Sequence, residues 1–282
     1  MTTLPKNESP ETGPATKQVI CIKWGTAYGA GHVNTLYGMV ARNITGPFRL
    51  VCFTDRAEGI RGEVACHPLP ALGCEIPADV PGKWPKVALW NRELFGVEGV
   101  VLFIDLDSVI VGNLDGYFSH GSPDDVITAR NWVKPWLRLG QTSVFRFKVG
   151  SHPYMLDNLR ANPAVVSRKY RYEQHYVTAG IKGGIKFWPG PWTRHFRLHC
   201  LGSWLTRLLR APVQPAGAKV VTFAGGTKVE SAISGRCAGQ DKPGPVREHL
   251  RWVFGKGFAG WVRRLKDYMK PSEWVARHWR EE

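Results

Sequence analysis

Three short runs of the chain, Val19 to Lys23, Phe48 to Phe53 and Val100 to Ile104, are apolar almost throughout rather than alternating, and helical patterns separate them. Strands of that kind are buried on both faces, which requires helices on each side of the sheet. They therefore predict an α/β fold with a mostly parallel sheet and right-handed crossovers. The helices between them are expected over Gly31 to Arg42 and, opening on proline, over Pro85 to Phe95. Ligands of such sheets bind beyond the carboxyl ends of the strands. Further along, the pattern loosens. Strands are expected at Ser143 to Phe147 and Lys219 to Phe223, helices near Pro153 to Leu159 and Tyr172 to Thr178, and no internal repeat is visible.

A chain of 282 residues, 43% hydrophobic and 22% charged, is long enough to bury about 75% of its unfolded surface. It is neither collagen-like, low-complexity nor wholly disordered. Residues 1–17 mix Pro, Thr, Glu and Lys without periodicity and read as a disordered arm; residues 18–235 read as the main domain and 236–282 as a basic, helical extension. The longest apolar run, Gly99 to Ile104, is far short of the roughly 18 residues of a bilayer span, and Met1 to Lys17 has no apolar leader core. The six cysteines include no C-x-x-C pair, which fits a reducing cytoplasm. A net charge of +15 draws such a protein toward nucleic acid, an anionic leaflet or phosphorylated small molecules.

The sharpest local feature is Phe103-Ile104-Asp105-Leu106-Asp107-Ser108, an apolar strand running into two carboxylates spaced by two. Alternation along an extended segment brings Asp105 and Asp107 out on the same side. Carboxylates held that close repel unless a cation or a proton lies between them. A hard divalent ion taking one or two carboxylates and a substrate diphosphate removes the repulsion. The plainer alternative is that both aspartates cap the following turn.

With that strand the chain resembles the retaining glycosyltransferases of family 8, which include glycogenin and bacterial galactosyltransferase-like enzymes. Val100 to Asp115 (VVLFIDLDSVIVGNLD) matches the family's apolar strand, D-x-D and N-[IL]-D run. Ala27-Tyr28-Gly29-Ala30-Gly31 stands where the family carries a tyrosine that stacks on uracil. Pro85-Lys86-Val87-Ala88-Leu89-Trp90 is similar to its T-K-x-x-x-W segment, with Lys86 near the donor phosphates. Gln141 to Phe147 echoes N-S-[GS]-V-x-x-[FY], and Glu173-Gln174 echoes the family's D-Q pair; together these cover roughly Gln18 to Gly235.

The resemblance implies a GT-A type nucleotide-diphospho-sugar transferase fold and transfer from a nucleotide sugar, UDP-linked, to a hydroxyl acceptor with retention. It implies Mn²⁺ or Mg²⁺ on Asp105 and Asp107, donor contacts from Tyr28, Lys86, Gly225, Gly226 and Lys228, and catalytic positions at Gln141, Glu173 and Gln174. Gly225-Gly226-Thr227-Lys228 suits a phosphate-side loop because adjacent glycines let backbone N–H groups approach an anion. Two departures stand out. The family's third metal ligand, a histidine near the last core strand, is missing from Val220-Val221-Thr222-Phe223-Ala224-Gly225. That leaves open weaker metal binding, a ligand from His195 or His199, or lost activity. Gln141 and Glu173 are each one methylene longer than the family's Asn and Asp, which matters at the ångström level.

A dinucleotide-binding oxidoreductase is the rival enzyme reading, since Gly29 and Gly31 follow the first strand and Asp55 ends the next. The third glycine of its fingerprint falls on Asn34, however, and no P-loop occurs. A nucleic-acid module would use the positive charge and the aromatics, yet no module signature is visible and no specific nucleic acid is expected. Between Gln174 and Val229 there is no acidic residue and there are eight basic ones. Leu201 to Arg210 and the segment near Trp261 to Tyr268 mix Trp and Leu with Arg and Lys as interfacial helices do. They predict a peripheral face on the inner side of the plasma membrane, where surface-polysaccharide or lipopolysaccharide synthesis presents a glycan or lipid-linked acceptor. A solvated basic helix is the alternative.

Overall fold

The computed structural model describes residues 16–282. Most of the expected arm, residues 1–15, lies outside them. Lys17, also assigned to the arm, is the first residue of β1 (Lys17–Lys23). In chain order there follow α1 (Ala30–Asn43), β2 (Phe48–Thr54), β3 (Ala65–His67), a 3₁₀ turn (Trp84–Trp90), β4 (Val100–Ile104), β5 (Ser108–Ile110), α2 (Asp115–Ser119), β6 (Ile127–Arg130) and β7 (Gly140–Lys148). Next come α3 (Tyr154–Ala161), α4 (Pro163–Tyr170), α5 (Glu173–Gly180), β8 (Lys186–Phe187), β9 (Thr193–His195), α6 (Phe196–His199) and α7 (Trp204–Leu209). The chain closes with β10 (Val220–Thr222), α8 (Val229–Ser234), α9 (Val246–Gly255), α10 (Trp261–Leu265) and α11 (Glu273–His278).

The main sheet runs β3-β2-β1-β4-β7-β6-β8. Its β3, β2, β1 and β4 are parallel, as the doubly apolar strands require, while β7 is antiparallel to both β4 and β6. Side-chain alternation explains why these strands lack a polar face. Val19 and Cys21 of β1, Leu50 and Cys52 of β2, and Leu102 and Ile104 of β4 enter one core with Val33, Leu36, Met39 and Val40 of α1. Their neighbours Ile20, Ile22, Val51, Phe53, Val101 and Phe103 enter a second core with Trp84, Trp90, Met155 and Leu159.

One expectation is corrected. The helix over Pro85 to Phe95 is the shorter 3₁₀ turn: the Asn91 N–H already bonds the Ala88 carbonyl, and Phe95 and Gly96 turn at positive φ so that Leu94 pairs with Val97. Beside the main sheet stands a second, β5-β10-β9, with strands of only three residues each; its β10 falls within the strand expected over Lys219 to Phe223. The tail is helical, in three pieces, α9, α10 and α11. It packs back on the body, with Met269 and Val275 inside the first core. The Arg42 guanidinium donates to the carbonyls of His278 and Arg280, and the missing side chain of Gly38 makes room for the Glu281 carbonyl.

Asp115, at the start of α2, ties these pieces together. Its carboxylate accepts from Lys17 Nζ at 2.8 Å, from the Thr45 N–H at 3.1 Å and from Asn113 Nδ2 at 2.9 Å, and from the Thr45 hydroxyl. Burial pushes the carboxyl up, but these donors outweigh it and hold it well below the usual range. A depressed folded value means that the stabilisation is present above the unfolded pKa and is lost as pH falls through the folded one. Asp115→Ala is therefore expected to lower stability at pH 7, with the gap to wild type closing below about pH 4, as read by urea denaturation at several pH values.

Candidate active site

The segment Asp105-Leu106-Asp107 is the crossing between the two sheets. It leaves the main sheet at the carboxyl end of β4 and enters β5 of the small one, so both carboxylates stand where the strands diverge. The crossing is pinned on each side. The Asp105 N–H donates to the Ser143 carbonyl at 2.8 Å, and the Phe223 N–H donates to the Asp107 carbonyl at 2.9 Å. Leu106 between them is buried and belongs to the first core, which turns the two flanking side chains away from it.

Asp105 meets Lys86, whose ammonium lies 2.8 Å from Oδ1 and 3.0 Å from Oδ2. Lys86 is buried in the 3₁₀ turn and also donates to the Thr142 carbonyl at 3.0 Å; the Thr142 hydroxyl in turn donates to Glu173 Oε1 at 2.7 Å. One polar chain thus joins Asp105, Lys86, Thr142 and Glu173, and it explains how a lysine and a glutamate are both buried here. Asp107 differs. Its Oδ2 accepts from the Tyr28 hydroxyl at 3.1 Å, while its Oδ1 is shielded from solvent and has no partner. Burial and the neighbouring Asp105 charge push the Asp107 carboxyl above its ordinary value, opposed by Lys83, Tyr28 and Lys86.

Tyr28 lies at the other wall. Its ring packs against the first core and meets the edge of His32 at 5.1 Å between centroids. His32 bonds Glu230 of α8 at 3.1 Å and stands 6.0 Å from Trp279. Gln141 of β7 turns Nε2 toward Ser143, and its Oε1 is shielded and unpartnered. Gln174 is half-buried beside Glu173 at the start of α5. Gly225 and Gly226 both have positive φ, 86° and 95°, with open space where a Cβ would stand, and Lys228 is exposed at the end of their loop. That loop follows directly on the Phe223 contact with Asp107.

Lys83 was missed from sequence. Its ammonium lies in the field of Asp105, Asp107 and Glu173, which together hold its pKa above the usual value. Lys83 caps the amino end of the 3₁₀ turn that carries Lys86, its carbonyl accepting from the Lys86 N–H at 3.0 Å, and it stands outside the helix expected over Pro85 to Phe95.

The third metal ligand is not restored. Thr222 is buried and turns its hydroxyl to the Arg194 carbonyl. His195 gives Nε2 to the Ala224 carbonyl at 2.8 Å and packs edge-on against Trp132, and His199 Nδ1 faces the backbone of His195. Among the described residues no three His, Cys, Asp or Glu side chains are grouped to hold a metal ion, and His195 and His199, one of the alternatives left open for the third ligand, bond backbone instead. What remains is a donor set of two carboxylates, one with an unmatched oxygen. It fits a hard divalent ion that completes its shell with diphosphate oxygens rather than one caged by protein alone.

Solved structures share this architecture. An active-site variant of LgtC superposes with a TM-score of 0.54 at 10% identity, over 75% of this chain and 89% of LgtC. The galactosyltransferase LgtC in complex with donor and acceptor sugar analogues gives 0.53 at 10% identity, over 91% and 98%. The glycosyltransferase GlyE of Streptococcus pneumoniae TIGR4 gives 0.53 at 12% identity, over 92% of this chain and 66% of GlyE. No protein-family model and no curated protein matches the sequence. The chain has the fold of these glycosyltransferases, the GT-A type.

Proposed function

We propose that the protein transfers a sugar from a nucleotide-diphosphate donor of the UDP class to the hydroxyl of a glycan or lipid-linked acceptor, with retention. The carrying observation is the Asp105–Asp107 pair at the exit of β4, facing two lysines and a tyrosine, with one shielded carboxylate oxygen left unmatched. A Mn²⁺ or Mg²⁺ ion on this pair would neutralise the diphosphate as it departs.

The chain's own residues perform the remaining tasks. Lys83 and Lys86 place positive charge beside the departing diphosphate, and Lys228 with the Gly225–Gly226 loop closes on it from the opposite sheet. Tyr28 presents its ring to the base while its hydroxyl fixes the orientation of Asp107. Glu173, held by Thr142, and Gln174 and Gln141 beside it orient sugar and acceptor hydroxyls. Because Glu173 is anchored through Thr142 rather than free, its extra methylene is taken up by that hydrogen bond.

The acceptor side carries α7 and the segment around α10, where Trp204, Leu205, Leu209, Phe258 and Val262 are exposed among arginines and lysines. We read this face as the one that meets an anionic leaflet. No helix among the described residues is long and apolar enough to cross a membrane.

The test is hydrolysis of a panel of nucleotide sugars with Mn²⁺. One UDP-sugar is expected to turn over, with NADH inert as a ligand; NADH binding with no response to any nucleotide sugar would return the oxidoreductase reading. In the same assay Tyr28→Ala is expected to weaken UDP binding about tenfold or more, the worth of one lost stacking partner, while Tyr28→Phe keeps most of the affinity.

A further inference from the structure

We propose that the cleft between the Gly225–Gly226 loop and the C-terminal extension binds a phosphate group carried by the acceptor. This rests on the transferase reading above and names the chemistry of its second substrate.

The cleft has a volume of about 760 Å³ and is walled by the loop, by Arg197 and Arg207, and by Arg263 and Lys266 of the extension. Those four cations have no carboxylate within ion-pair distance among the described residues; the fifth, Arg236, is occupied by Asp241 and Asp267. Burial and, after it, the neighbouring charge of Arg197 hold the Arg207 guanidinium below its ordinary pKa. Arg207 ties α7 to the extension through the Lys266 carbonyl at 2.6 Å, yet its Nε is shielded from solvent and unpartnered. Like charges gathered around a cavity with a donor left over are stabilised when an anion with several acceptor oxygens enters, and arginine forks match phosphate geometry.

The position selects the acceptor rather than the donor. Arg197 donates to the Gly225 carbonyl at 3.2 Å, so the cleft lies against the loop whose start contacts Asp107. None of Tyr28, Lys86, Asp105 or Asp107 lines it. The two compartments share one wall, as donor and acceptor sides of a transfer must.

The test titrates the full chain with inorganic phosphate at fixed ionic strength, with and without saturating UDP. Arg263 and Lys266 are exposed, so the double variant Arg263→Gln/Lys266→Gln removes charge without disturbing the core. Wild type is expected to bind phosphate equally with UDP present. The double variant is expected to bind it at least tenfold more weakly, with thermal midpoint and UDP affinity unchanged. No phosphate binding, displacement of phosphate by UDP, or an unaffected double variant would overturn the proposal. Failure of wild type to bind UDP would count against the transferase reading alone, since phosphate binding without UDP still reports on the cleft. Vesicles separate the sources of the phosphate. A preference for phosphatidic acid over phosphatidylglycerol at equal surface charge, lost in the double variant, assigns a lipid-borne phosphate; phosphate binding without that preference assigns a soluble phosphorylated acceptor.

Discussion

Asp107→Asn and Asp105→Ala are each expected to abolish metal-dependent binding of UDP and to reduce sugar transfer by about 10²- to 10³-fold or more, the usual effect of removing one group that stabilises developing charge. The two variants should part company in stability. Asp107 is held with its carboxyl above the ordinary value by burial and by Asp105. Its contribution is thus fully present below the unfolded pKa and lost as pH rises through the folded one. At pH 7 an uncharged amide relieves that repulsion and still accepts from Tyr28, so the ion-free Asp107→Asn protein should melt higher than wild type. Asp105→Ala instead strips buried Lys86 of its counter-charge and should melt lower. Calorimetry with UDP and Mn²⁺, alongside thermal melts in chelator, reads both. Unchanged UDP affinity in both variants would remove the metal site from the proposal.

The largest loss of stability is expected from Arg146→Met. Arg146 is completely buried, and its guanidinium donates to the carbonyls of Tyr117 and Phe118, at 3.3 and 3.0 Å, and to that of Ser122. It therefore caps the carboxyl end of α2, where helix carbonyls lack partners and a cation is favoured by the dipole. Methionine fills similar space but leaves these carbonyls, the buried Tyr117 one above all, without their donor. At about 1–3 kcal/mol for each unsatisfied group, the variant should lose about 3 kcal/mol or more, a fall in Tm of roughly 6 °C or more. Arg146→Lys keeps the charge without the fork and should recover only part of it. Urea unfolding within about 1 kcal/mol of wild type for Arg146→Met would show that the cap contributes little.

Both cases show what a single sequence makes legible here. The strands β1, β2 and β4 could be located because burial on both faces writes a continuous apolar run, and Asp105 and Asp107 because they end one. Arg146 looked like an ordinary polar position in its strand. Nothing local says that a charge 29 residues from Tyr117 in sequence will serve as its helix cap. Lys83 lies just outside the helix expected over Pro85 to Phe95, and β5 and β9 are strands too short to show alternation. The walls of the basic cleft come from segments brought together only by the fold, so the acidic-free stretch gave its charge but not its shape. His195 and His199 were weighed by residue type, whereas their partners turned out to be backbone carbonyls and an indole.

The contacts from Trp279 to His32, from His32 to Tyr28 and from Tyr28 to Asp107 place the last turn of the chain in mechanical series with the carboxylates. Linkage is reciprocal: a nucleotide that steadies Tyr28 through these contacts is expected to slow fraying of α11 and its cleavage by proteases. By the same reciprocity, trimming the chain back through Trp279 as if it were idle surface would loosen the grip on the base from a distance.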